Sequence, residues 1–147
     1  MNAEMTEDLA LVTGLYRATN AAVRELDQRL MREHDVTFVQ AVTLLAIDTF
    51  DRPQPHLVAE HLSQQSQTVT GVLDRLERAG HVTRRRDLDD RRAVRLELTE
   101  SGRVLVDEMS ESLKKHITDV LDGVKPRTRE KLIHQLDELE HSIRTAR

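Results

Sequence analysis

The sequence predicts a mainly α-helical protein with one small β-hairpin, and three observations lead to that fold class. Residues 57–80 read as a short helix, a break and a second helix. Two strand-like segments follow, joined by a turn at 89–92 that holds two aspartates and two arginines. Apolar residues repeat at helical spacing toward both ends of the chain. This order is the plan of a winged helix-turn-helix flanked by long helices.

The composition fits one domain, expected over residues 1–147, which is long enough to enclose a core. The only aromatic residues are Tyr16, Phe38 and Phe50, so the core has to be aliphatic. The absence of cysteine excludes disulfides and thiol-based redox sensing. No apolar run approaches the roughly 20 residues of a membrane span. Since residues 1–10 also lack the apolar centre of a signal peptide, we expect a cytoplasmic protein with no membrane partner.

The charges are unevenly distributed along the chain. The formal net charge is −4 for the whole sequence. Residues 75–95 nevertheless contain eight arginines against four carboxylates, so this segment carries +4 and the remainder −8. A basic segment on an acidic body is the electrostatic pattern expected of a nucleic-acid-binding protein.

The first predicted element is a long amphipathic helix. Thr6 is its expected N-cap, because acidic residues follow it in the first turn. Seven residues then recur at spacings of three and four: Leu9, Val12, Tyr16, Thr19, Val23, Leu26 and Leu30. A stripe of this length needs a partner surface.

Three shorter helices are predicted next. Thr37 and Gln40 form a capping box at the start of the second helix. Pro55 suits the first position of the third helix. The fourth helix begins near residues 65–66 and ends at Gly80, which supplies its C-terminal stop. Its expected buried face consists of Val69, Val72, Leu73 and Leu76.

The hairpin and two more helices complete the pattern. Residues 81–87 and 94–98 alternate as two strands, and Thr99 is the expected cap of the helix that follows. A break near residues 122–126 precedes the final helix. The apolar stripe of that helix is Leu132, Leu136, Leu139 and Ile143.

The flanking helices indicate self-association. A helix-turn-helix lobe at 37–99 does not need long helices at 6–34 and 100–147 in order to fold. Their simplest use is a homodimer in which the terminal helices of two chains interdigitate. Packing of these helices within one chain is the alternative.

The hairpin turn carries candidate DNA contacts. An arginine at a hairpin tip suits a narrow minor groove, and Arg92 is the first candidate, with Arg91 nearer the phosphates. Asp90 supplies turn chemistry, orients Arg92, or does both. A solvated charged hairpin is the other interpretation, but the adjacent helix-turn-helix favours DNA contact.

The start of the fourth helix offers short polar side chains to a major groove. The candidates are Gln65, Ser66, Gln67, Thr68 and Thr70. Glutamine can pair with adenine through two hydrogen bonds, and serine or threonine can reach a phosphate or a base edge. The alternative for Ser66 or Thr68 is a helix-capping role.

This arrangement resembles the MarR family of bacterial transcriptional regulators over nearly the whole chain. The matching segments are LVAEHL, TVTGVLDRLERAG, HVTRR and DDRRAVRLELTESG. The most specific is the family's wing pattern, D-x-R followed by a spaced L-T, which maps to Asp90, Arg92, Leu98 and Thr99. The resemblance implies that Asp90 orients Arg92.

The resemblance further implies a homodimeric, sequence-specific regulator of transcription, expected to be a repressor. Its two winged helices would read the half-sites of a pseudo-palindromic operator in double-stranded DNA, about one helical turn apart. A small, often aromatic or lipophilic effector would bind between the dimerisation helices and the DNA-binding lobe. The effector-binding residues stay unassigned. Tyr16, Phe38 and Phe50 are candidates either for that pocket or for the ordinary core.

Two arginines match positions that the family often keeps basic. Arg75 and Arg84 are expected phosphate contacts, and an internal salt bridge with Asp74 or Glu77 is the alternative for either. The chain departs from the family at Gly71, where many members have arginine or lysine. It also has Gln64 in the turn, where many have a small apolar residue. The operator sequence therefore cannot be transferred from relatives.

Other classes of function find little support. The sequence shows no nucleophile elbow, phosphate loop or paired-carboxylate motif, so no catalytic residue and no enzyme is expected. His34, His61 and His116 are far apart in sequence and free to meet in space, but without i, i+4 pairs or cysteine we expect no metal and no cofactor. The remaining alternative is an interaction module, an antirepressor or scaffold that keeps the fold without reading DNA. The arginine-rich hairpin argues against it.

Overall fold

The structure is mainly helical with one two-stranded hairpin, as the sequence predicts. It is a computed structural model that describes the backbone of residues 3–146 and the side chains of residues 6–146. Residues 1, 2 and 147 of the predicted domain lie outside the described residues. The elements in chain order are α1 (Ala3–His34), α2 (Phe38–Thr49), α3 (Pro55–His61), α4 (Ser66–Arg78), β1 (Val82–Arg86), β2 (Val94–Leu98), α5 (Glu100–Val120) and α6 (Pro126–Thr145).

The central lobe encloses an aliphatic core, to which α2, α4, β2 and α5 all contribute. Its largest fully buried side chains include Leu30, Leu44, Leu73, Leu76, Leu96 and Met109. The capping box at α2 is present, since Thr37 Oγ1 accepts a hydrogen bond from the backbone N–H of Gln40 and Gln40 Oε1 accepts one from that of Thr37. Pro55 begins α3, as predicted. The four apolar residues predicted for the inner face of α4 are all buried.

A tight C-terminal cap joins α4 directly to the hairpin. Gly80 has a φ of 83°, a conformation that favours glycine. The N–H of Gly80 donates to the carbonyl of Glu77, and that of His81 donates to Leu76, which is the Schellman pattern. Because only residues 79–81 separate α4 from β1, the helix and the hairpin pack against each other.

The hairpin is antiparallel with Arg84 opposite Leu96. The strand β1 is one residue shorter at each end than predicted, because His81 belongs to the cap and Asp87 to the turn. On its other edge β2 receives a further contact, as the N–H of Leu96 donates to the carbonyl of Pro53 at 2.8 Å. This bond fixes the loop after α2 against the hairpin.

The helix that follows the hairpin is capped as predicted. Thr99 Oγ1 accepts from the N–H of Gly102 and donates to the carbonyl of Gly80, so one side chain links the start of α5 to the end of α4. The helix α5 then packs along α1, where Leu26 and Leu30 are buried. The predicted cap at Thr6 is wrong, because α1 already begins at Ala3 and Thr6 lies inside it.

Apolar residues remain exposed on both terminal helices. No described residue of α6 is buried, and its stripe is open at Leu132, Leu136 and Ile143. The N-terminal half of α1 is similarly open, with Tyr16 70% exposed. Among the described residues, no helix is long and apolar enough to cross a membrane.

Candidate nucleic-acid interface

The start of α4 presents the predicted polar residues to solvent. Gln65, Ser66, Gln67, Thr68 and Thr70 are all exposed. The predicted capping role of Ser66 or Thr68 is wrong, since Gln65 occupies the N-cap position and no side chain caps the helix. The free backbone amides of this first turn therefore remain available to a ligand.

The two arginines expected at phosphates differ in their surroundings. The side chain of Arg75 is exposed and makes no hydrogen bond or ion pair with the residues described. Arg84 lies against α4, with Nη2 2.6 Å from Asp74 Oδ1 and Nε 3.3 Å from Glu77 Oε2. The contact with Asp74 is a hydrogen bond, whereas Nε has no hydrogen-bond partner among the described residues, so the Glu77 contact is an ion pair only. The structure therefore has, for Arg84, the internal salt bridge that was the alternative to the expected phosphate contact.

The wing turn is organised by backbone hydrogen bonds to carboxylates. Asp90 Oδ1 accepts from the backbone N–H of Arg92 at 3.0 Å, and the carbonyl of Asp90 accepts from Ala93. Asp87, which is buried, accepts from the N–H of Asp89 in the same way. Asp90 thus has the turn role expected for it, and it contacts the backbone of Arg92 and not its guanidinium group. Its role in orienting the Arg92 side chain stays a prediction.

The arginines at the tip are exposed and unpaired. Neither Arg91 nor Arg92 forms an ion pair among residues 6–146, and the same holds for Arg78 and Arg86. Together with Arg75 they give the lobe five guanidinium groups that form no ion pair with the side chains described. Such groups can neutralise phosphates or enter a narrow minor groove.

The sequence did not predict one side-chain contact between the wing turn and the loop after α2. Arg52 Nη1 donates to Asp89 Oδ2 at 3.1 Å, which joins the loop after α2 to the wing turn. Both side chains are largely exposed, so the pair adds little to stability. Their separation of 37 residues leaves no local pattern that would have indicated the pair.

Two of the three histidines considered for a metal share a carboxylate between α1 and α5. His116 Nε2 lies 3.0 Å from Glu33 Oε2, and His34 Nε2 lies 3.7 Å from the same oxygen and 2.8 Å from Ser112 Oγ. The His116 side chain holds the pKa of Glu33 below its ordinary value. No group of three or more potential metal ligands occurs within the described part of the chain.

The third histidine and the aromatic residues lie elsewhere. His61 stacks edge-to-face on Phe50, with ring centroids 5.4 Å apart. Phe38 and Phe50 are half-buried against the core, whereas Tyr16 is exposed. Phe50 also lines a cavity of about 320 Å³ between the end of α2, β2 and the start of α5. Arg95 lines it too, and its buried Nε has no hydrogen-bond partner among the described residues.

The fold and the site together define a winged helix-turn-helix protein of the kind found in transcription regulators. The transcriptional regulator BldR from Sulfolobus solfataricus is similar at 25% identity and a TM-score of 0.82, with 96% of this chain and 99% of that chain covered. BpsR of Bordetella bronchiseptica, whose DNA binding is regulated by 6-hydroxynicotinic acid, is 27% identical, with a TM-score of 0.77 and coverage of 86% and 89%. A mutant of Escherichia coli MarR, complexed with operator DNA, has a TM-score of 0.82 at 21% identity, with coverage of 95% and 99%.

Residues 34–93 match the model of the MarR family. This segment runs from the end of α1 to the wing tip and so contains the whole helix-turn-helix. The matched segment contains LVAEHL, TVTGVLDRLERAG and HVTRR, three of the motifs that indicated a resemblance to this family. The family and the similar structures are transcription regulators and not enzymes, in agreement with the lack of a catalytic motif.

Proposed function

We propose that this protein is a homodimeric, sequence-specific DNA-binding regulator of transcription that acts as a repressor. The observation that carries the proposal is the combination of an exposed, polar α4 N-terminus with an arginine wing. The guanidinium groups of Arg91 and Arg92 in that wing pair with none of the described residues. The polar end suits a major groove and the wing tip suits the neighbouring minor groove. In this proposal the DNA-binding lobe spans residues 37–99.

Homodimer formation through residues 6–34 and 100–147 is supported by the exposed apolar stripes. A helix without a buried residue gains little stability from packing within its own chain, and no described residue of α6 is buried. The exposed leucines of α6 and the exposed Leu9, Val12 and Tyr16 of α1 supply the apolar surface that a second copy of the chain would cover. A homodimer with two-fold symmetry would present its two DNA-binding lobes to the half-sites of a pseudo-palindromic operator.

Regulation by a small molecule is part of the proposal. The similarity to BpsR, whose DNA binding responds to 6-hydroxynicotinic acid, supports an effector of this general kind without identifying it. Effector and DNA would each weaken the binding of the other by the same factor.

The test is a fluorescence anisotropy titration with duplexes selected from a random library. Replacement of Arg92 by alanine is expected to weaken binding about tenfold, because the loss of an arginine contact to a base edge costs on the order of 1–3 kcal/mol. Arg127→Ala is the matched control, since Arg127 is also exposed and pairs with no residue in the described part of the chain, but lies on α6. It is expected to leave the affinity unchanged.

Two results would contradict the proposal. Equal affinities of the Arg92 and Arg127 variants for DNA would indicate that the wing does not contact the DNA. A wild-type protein that binds no duplex at modest ionic strength would favour the alternative of a protein-interaction module. Affinity should otherwise fall steeply with salt, as counterion release requires.

A further inference from the structure

The side chain of Arg84 spans the contact between the hairpin and α4. From β1 it reaches Asp74 and Glu77 on consecutive turns of α4, and Nη2 also lies 3.4 Å from the carbonyl oxygen of Thr70. These three α4 positions share one face, since they are spaced by four and three residues. Arg84 is also the least exposed member of the group, with 29% of its side chain accessible.

We propose that Arg84 is a positioning residue that locks the wing to the recognition helix, and that Asp74 is its anchor. This inference rests on the proposed DNA-binding function. The residues expected to meet DNA are on two elements, α4 and the wing, and simultaneous contact requires a fixed angle between them. The Gly80 cap fixes one end of the joint between α4 and the wing. The Arg84–Asp74 pair, whose two residues are ten positions apart in the sequence, fixes a second point of the same joint.

The electrostatics of the lobe support this role over a direct phosphate contact. Asp74 and Glu77 are carboxylates on a helix that would lie against a polyanion, where an uncompensated negative charge is unfavourable. Arg84 neutralises them within the protein. If a phosphate drew the guanidinium group away from α4, the 2.6 Å contact would break and Asp74 would be left unpaired beside the DNA.

The two roles predict opposite effects of the substitution Asp74→Asn. If Arg84 is a positioning residue, the loss of its anchor loosens the wing, and affinity falls about three- to tenfold in the anisotropy titration. If Arg84 contacts phosphate, the same substitution frees Arg84 and removes a negative charge, so affinity rises. Glu97→Gln is the matched control, because Glu97 pairs with Arg85 on the outer face of the hairpin, away from α4.

Salt titrations and a double variant complete the experiment. In the positioning role, Arg84→Ala weakens binding while the slope of log affinity against log salt stays as in the wild type. Combining it with Asp74→Asn adds no further loss, because both changes break one contact. A slope reduced by about one in Arg84→Ala, or unchanged affinity in Asp74→Asn, would overturn the inference.

A measurement without DNA separates this inference from the proposed function. Amide hydrogen exchange in β1 is expected to be faster in Asp74→Asn than in Glu97→Gln, because only the first breaks the tie to α4. Equal exchange in the two variants would overturn the inference even if the protein binds DNA. A wild-type protein that binds no duplex would overturn the proposed function, and with it the positioning role.

Discussion

Gly71→Ala and Gly102→Ala are the same substitution in two helices, yet they are expected to change stability in opposite directions. A Cβ at Gly71 in α4 would meet no atom within 4 Å. Alanine there gains helix propensity and restricts the unfolded chain, which together raise the free energy of unfolding by about 0.5–1 kcal/mol. The difference between the two sites is steric, because a Cβ at Gly102 would overlap the carbonyl oxygen of His81.

The clash at Gly102 cannot be relieved by moving a side chain. The His81 carbonyl belongs to the backbone and accepts a hydrogen bond from the N–H of Thr99 at 3.1 Å. Moving it away strains the joint between the hairpin and α5, so Gly102→Ala is expected to lower the free energy of unfolding by about 1–3 kcal/mol.

Urea unfolding followed by circular dichroism, without DNA and at one protein concentration, measures both effects. The expected result is a higher midpoint for Gly71→Ala, a lower one for Gly102→Ala, and slopes like that of the wild type. Fixed concentration matters because dimer formation would make the midpoint concentration-dependent. A lower urea midpoint for Gly71→Ala than for the wild type, or equal midpoints for Gly102→Ala and the wild type, would refute this steric explanation.

Two further predictions concern the helices on either side of the lobe. Because the pKa of Glu33 is lowered in the folded state, chiefly by His116, its carboxylate stabilises the fold above the unfolded-state pKa, and this stability is lost as the pH falls through the folded-state pKa. Glu33→Gln should therefore show a shallower loss of stability in acid unfolding curves, and a profile parallel to the wild type would contradict the assignment. Leu136→Asp should dissociate the proposed dimer in sedimentation velocity while keeping its helical content, because Leu136 is already exposed in the single chain. Gln135→Asp on the neighbouring face of α6 is the control, and equally tight dimers of both variants would exclude the stripe as the interface.

The elements that the sequence predicted well are those set by local chemistry. The capping box at Thr37, the glycine stop at Gly80 and the threonine cap at Thr99 each involve contacts within a few residues, and all three are present. The start of α1 was missed because a helix can begin before a good capping residue if the preceding residues also favour helix. The cap at α4 was missed because several polar residues in succession were equally suited to it.

The sequence by itself determined the order of elements, the resemblance to the MarR family and the concentration of positive charge in residues 75–95, because periodicity, motifs and charge are properties of the linear chain. The tertiary structure decided which arginines are free. Arg75 and Arg84 look alike in the sequence, but the packing of β1 against α4 brings Asp74 and Glu77 beside Arg84. Side-chain partners of this kind depend on the packing of separate elements, and that packing is fixed only when the chain folds.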